Sequence, residues 1–83
     1  MVDFFPGEIE IVGGVLQVGD EVFSDPNSER IDALLTLLLV ERGRTFHGWD
    51  TLYLDPRDGR LWEHYYPASH LHGGGPPALR LVD

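Results

Sequence analysis

Gly48-Trp49-Asp50-Thr51-Leu52-Tyr53-Leu54-Asp55-Pro56-Arg57-Asp58-Gly59-Arg60-Leu61-Trp62-Glu63 is the stretch that decides how this chain folds. Two runs rich in aromatic and branched residues flank Pro56-Arg57-Asp58-Gly59, where each residue has a turn role. Pro56 presets φ at the first turn position, Asp58 can hydrogen-bond nearby backbone, and Gly59 tolerates positive φ because it has no Cβ. A short loop of this kind between alternating runs predicts a β-hairpin. Its length sets the register: Asp55 opposite Arg60, Tyr53 opposite Trp62, Leu52 opposite Glu63. One face then carries Trp49, Thr51, Tyr53, Trp62, His64 and Tyr66, and the other Asp50, Leu52, Leu54, Leu61, Glu63 and Tyr65. Large apolar groups on both faces place the hairpin centrally in a sheet.

Working outward, Phe4 and Phe5 before Pro6-Gly7 suit an N-terminal arm tucked onto the core. Glu8 to Val12 alternates polar and apolar as a half-buried strand does. Gly13-Gly14 reads as a two-residue turn, with Val15 to Val18 returning as the partner strand and Gly19-Asp20 ending it. A helix starts after Ser24: Asp25 can cap it, and Pro26 sits where its missing N–H costs nothing. Ile31, Leu34, Leu35 and Leu38 recur at helical spacing and form one core-facing stripe. Arg42 and Gly43 supply a basic last turn and a terminating glycine, with Leu37, Leu39 and Val40 widening the apolar face. After the hairpin, Gly73-Gly74-Gly75-Pro76-Pro77 excludes regular structure, and Ala78 to Val82 reads as a last strand. The expected fold is α+β, in the order β-β-α-β-β-β: a small antiparallel sheet of about five strands with one helix on a face. Residues 1–83 form one domain in this reading, with no internal repeat and no dividing linker.

Composition narrows the function. The net charge is −8, from 14 acidic and 6 basic residues, which opposes nucleic-acid binding, since phosphate contacts need clustered Lys and Arg. Such a chain suits a basic partner. With no cysteine there is no disulfide framework, no thiolate metal site and no thiol nucleophile. No apolar run is long enough to span a membrane and no leader is visible, so a cytoplasmic location is expected.

Three groups of residues could carry chemistry. His70 and His72, with His64, Asp50 and Glu63, form the one conceivable metal cluster, yet His-x-His alone is a weak spacing for zinc. The bland alternative is surface histidines around a loop. Asp50 and Glu63 share a hairpin face and could act as an acid/base pair, or could line a polar edge and receive an arginine. The glycine run lacks the lysine and following helix of a phosphate loop, and its prolines have no N–H to offer. No cofactor is expected.

Laid out this way, the chain resembles the immunity protein 27 family of bacterial polymorphic toxin systems. The resemblance rests on Gly48-Trp49-Asp50-Thr51-Leu52-Tyr53-x-Asp55-Pro56-x-Asp58-Gly59-Arg60-x-Trp62-Glu63 and on Tyr66-Pro67-x-Ser69-x-x-His72-Gly73-Gly74-Gly75-Pro76-Pro77-x-Leu79. Weaker echoes occur at Val12-Gly13 and at Glu29-Arg30-Ile31-x-x-Leu34. His70 stands where the family pattern is acidic and Leu54 where it tends to be basic, departures that bear on partner identity rather than fold. The resemblance implies a cytoplasmic antidote that binds and occludes a cognate toxin domain and does no chemistry itself. Expected contact residues are Asp50, Glu63, His64, Tyr66, His70 and His72. Trp49, Tyr53, Pro56, Asp58, Gly59, Trp62, Gly73, Gly74, Gly75 and Pro76 serve as structural motif positions. The competing readings are a metal-dependent hydrolase using the histidines with Asp50 and Glu63, and a self-associating module using Leu37, Leu39 and Val40. Before binding, the chain is expected to be a monomer or a weak dimer that engages neither nucleic acid nor membrane.

Overall fold

In the computed structural model, which describes residues 2–44, 50–67 and 75–82, the central hairpin forms with the register that its turn chemistry dictates. In chain order the elements are β1 (Glu10–Val12), β2 (Val15–Val18), β3 (Glu21–Ser24), α1 (Pro26–Leu37), β4 (Val40–Arg44), β5 (Thr51–Leu54), β6 (Leu61–Tyr65) and β7 (Ala78–Leu81). Tyr53 pairs with Trp62 and Leu52 with Glu63, and the Asp55 N–H donates to the Arg60 carbonyl at 2.9 Å. Within the loop, Asp58 Oδ1 accepts from the Arg60 N–H at 2.9 Å, and Gly59 has φ of 77°. A residue with a Cβ would be strained there.

The hairpin strands β5 and β6 lie inside a five-stranded antiparallel sheet of order β1-β7-β6-β5-β4. One helix covers a face of it, so the fold is α+β as the sequence predicts. Asp25 caps α1 by accepting from the Ser28 N–H at 2.8 Å, with Pro26 in the first turn. Ile31 and Leu34 are fully buried, and Leu35 and Leu38 press against the same cluster as Ile11, Leu39, Trp62 and Leu79. Each such side chain withdrawn from water contributes about 1.5–3 kcal/mol. The N-terminal arm closes the core: Phe4 stacks flat on Trp62 with ring centroids 4.0 Å apart. Arg30 then fastens the arm, bonding both oxygens of Glu8 and the Asp3 carbonyl while its guanidinium lies 4.1 Å over Phe5. No helix among the described residues is long and apolar enough to cross a membrane.

Two local expectations are overturned. Gly13-Gly14 is not the turn of an N-terminal hairpin, because β1 pairs with β7 and β2 pairs with β3 across Gly19-Asp20. The glycines instead allow a close crossing. A Cβ on Gly13 would stand 2.6 Å from the Pro77 carbonyl oxygen and closer still to Ser28 Oγ. Ser28 Oγ donates to the Gly14 carbonyl at 2.8 Å and accepts from its N–H at 3.0 Å, and the Gly13 N–H donates to Pro77 at 2.8 Å. The helix also ends sooner than Arg42-Gly43. It stops at Leu37, Leu39 turns into the core, and Val40–Arg44 becomes the edge strand beside β5. Strand pairing outweighs the helical pattern here because Val40 and its neighbours gain a ladder with β5 that a longer helix would forgo. The chain therefore holds two strands, β3 and β4, beyond the predicted element order.

The turn also buries a charge. Asp55 is 1% exposed, and its carboxylate accepts from the Arg57 backbone N–H at 2.9 Å and from the Arg57 guanidinium at 2.9 and 3.1 Å. The Arg57 guanidinium and N–H hold the Asp55 carboxyl below the usual aspartate range. A carboxyl with a depressed folded-state pKa contributes stability above its unfolded pKa, about 3.9, and loses it as pH falls. Asp55→Asn should therefore cost about 1–3 kcal/mol at neutral pH and flatten the loss of stability below about pH 4, as read by urea unfolding across pH. Parallel curves for the two proteins would refute this role. Gly13→Ala should destabilise by about 1–3 kcal/mol in the same assay, because a Cβ has nowhere to go.

Candidate functional site

Two surfaces hold the polar and aromatic side chains from which a site could be built. The first lies on the sheet face away from α1, where the register aligns Glu63 with Arg80 and Arg80 with Glu10. Arg80 Nε donates to Glu63 Oε1 at 2.6 Å, and its guanidinium sits 4.3 Å over the Tyr65 ring. The Tyr65 hydroxyl donates to Glu10 Oε2 at 2.7 Å. The result is a chain of ionic and aromatic contacts that ties β1, β6 and β7 together. Glu63 is only 8% exposed beneath Arg80. A carboxylate held in this way is committed to its arginine, which is the structural alternative that the sequence left open for the Asp50/Glu63 pair.

The second surface is on the helix side, where His64 shares a face with the buried Leu79. Its ring meets Tyr53 edge-on at 6.2 Å and Tyr66 at 5.1 Å. Asp32 on α1 and Asp50 just before β5 act on it electrostatically. Burial pushes the imidazole below the ordinary histidine value and outweighs the opposing pull of Asp50 and Asp32.

The expected contact residues are thus divided. Glu63 looks away from the helix and is covered, His64 looks toward it and is half-buried, and Tyr66 is exposed at the end of β6. Asp50 is partly exposed and acts on both His64 and Arg80. His70 and His72 lie outside the described residues, as do the motif positions Trp49, Gly73 and Gly74. No group of His, Asp and Glu suited to a metal occurs among the described residues. Of the helix-end residues offered for self-association, Leu39 is buried in the core, whereas Leu37 and Val40 are exposed.

The sequence reading missed a third surface. The β2–β3 ribbon stands apart from the main sheet and exposes Val15, Leu16, Val18, Val22 and Phe23. Beside it is an open cleft of about 440 Å³ between Val15 and Ser24 on one side and Gly75, Pro76 and Pro77 on the other. The signal was present: two β-rich runs flank Gly19-Asp20, a valid two-residue hairpin turn. Gly13-Gly14 competed for the same partner strand and hid it.

The state of His64 is directly measurable. Followed by NMR, its titration midpoint should fall below about 6.5, leaving the ring neutral at pH 7. A depressed histidine leaves the unfolded chain to take up the proton first, so its contribution to stability is present above about pH 6.5 and is lost as pH falls. A midpoint at or above 6.5 would mean that Asp50 and Asp32 outweigh burial.

Comparison with known proteins agrees with the motif blocks. The family model described as Immunity protein 27 matches residues 17–83, which include the ribbon from Gln17, the helix and every strand from β3 onward. No curated protein and no solved structure matches. With most of its length matched by that model, the chain belongs to the immunity protein 27 family.

Proposed function

We propose that this immunity protein is a bacterial antidote that binds a cognate toxin domain, covers its active site and carries out no reaction itself. The partner in this reading is a basic, nuclease-like domain of a polymorphic toxin system, met in the cytoplasm of the producing cell during competition between bacteria. The observation that carries it is how the charge is distributed. Arg30, Arg57, Arg60 and Arg80 are each engaged with the chain's own carboxylates. Much of the positive charge is thereby spent internally, in a chain whose formal net charge is −8. A surface of this kind is steered toward a basic cleft and away from nucleic acid itself. The commitment of Glu63 to Arg80 also fits a binding protein better than a carboxylate-pair catalyst.

The purified chain, mixed with the toxin domain encoded beside it, should form a complex that blocks toxin activity. Association should slow and binding should weaken as salt is raised from low to physiological strength and beyond. A toxin that stays fully active in the presence of excess chain would reject the antidote role. A complex indifferent to salt would reject the charge-steered version of it.

A further inference from the structure

We propose that the β2–β3 ribbon is the element that docks on the toxin, with its apolar side chains entering a cleft on a basic protein surface. This rests on the antidote reading and adds the surface that performs it. The ribbon has little core of its own. Register places Leu16, Val18 and Phe23 on one face and Val15 and Val22 on the other, and their exposures run from 49% for Phe23 to 67% for Val18. Monomeric proteins seldom leave so many large apolar side chains together in water without a use for them. Among the described residues β2 and β3 pair only with each other, so each keeps one open edge of backbone N–H and C=O groups. These edges are short and carry the charge of Glu21, but they have no lysine, proline or bulge, further devices by which proteins prevent strand addition.

Charge selects the occupant. Asp20 and Glu21 stand at the ribbon tip, and Asp25 and Glu29 lie at the start of the adjoining helix. None of these four is ion-paired among the described residues. Apolar residues with acids at the ribbon tip and at the helix start that follows match a basic rim around an apolar cleft. A second copy fits poorly, because a two-fold contact would set one acidic ribbon end, Asp20-Glu21 or Asp25 and Glu29, against another in a chain already at −8. The open space beside Val15 and Ser24 leaves room for a partner to pass along the ribbon as well as over its exposed faces.

The test pairs a variant with a measurement on the unaltered chain. Leu16→Thr with Phe23→Thr keeps strand-forming residues and removes the apolar contact. Affinity for the toxin domain encoded beside the chain should fall at least about tenfold, while circular dichroism and the unfolding transition are retained. In the unaltered chain, hydrogen exchange at Val15–Val18 and Glu21–Ser24 should slow when the toxin domain is added. This second readout decides the matter if the variant fails to fold. Full affinity in a folded variant, or unchanged exchange in a formed complex, overturns the ribbon assignment and leaves the antidote reading standing. No complex with the unaltered chain overturns both. A dimer that the toxin does not displace and that the variant abolishes assigns the ribbon to self-association and overturns the proposal.

Discussion

The crossing of Gly13-Gly14 over the start of α1 is the constraint on which the rest of the structure depends. Ser28, buried in the first turn, both donates to and accepts from Gly14, while the Asp25 N–H donates to the Gly14 carbonyl at 3.1 Å. The Gly13 N–H reaches Pro77 at the entry to β7. Four parts of the chain meet at one point: the edge strand β1, the ribbon, the helix cap and the segment leading into the last strand. Each bond there satisfies a backbone group that would otherwise be lost at a helix start or a strand end. The approach is so close that only glycine can make it, and the joint thereby fixes the direction in which the ribbon leaves the body.

Much of this fold is legible in the sequence where local chemistry and tertiary packing agree. Pro56, Asp58 and Gly59 specify the loop, the loop specifies the register, and the register correctly divides the hairpin's faces. Asp25-Pro26 marks the helix start for the same reason, since capping is a local event. The failures arise where a long-range partner decides. Gly13-Gly14 and Gly19-Asp20 are both acceptable turns, and only the pairing of β1 with the distant β7 shows which one is used. Helical periodicity continues past Leu37, but β5 is available to pair Val40–Arg44, and no local signal announces it. The candidate site suffers in the same way. Asp50 and Glu63 can be placed on one face from the register, yet the arrival of Arg80 from β7, which gives Glu63 an arginine partner, is not announced locally.

Two groups of acidic residues have different work to do. Glu8, Asp55 and Glu63 are largely covered, each held by an arginine, and they join segments distant in the chain or close the central turn. Their value is specificity of arrangement, because a covered carboxylate without its arginine would be costly. Asp20 and Glu21 sit at the ribbon tip and Asp25 and Glu29 at the start of the helix that follows, and among the described residues Asp25 has a structural task, as the helix cap. Part of the surplus charge therefore lies where the fold needs it least, and the rest, Asp32, Glu41 and Asp50 among it, lies on the helix, on β4 and just before β5.

That separation bears on how so small a protein can hold an exposed ribbon in a fixed position. An isolated two-stranded ribbon is marginal in water, and a flexible one would lose affinity to the entropy of ordering. Here the ribbon is anchored at both ends, by Gly14 at its start and by the capped helix directly after Ser24. Neither anchor draws on the ribbon's apolar side chains, which stay in solvent while the core is built from Ile11, Ile31, Leu34, Leu39, Trp62 and Leu79. Change in the ribbon's surface residues is thereby separated from the residues that hold the fold. A glycine joint beside a capped helix is a compact way to hold an exposed ribbon without drawing its side chains into the core.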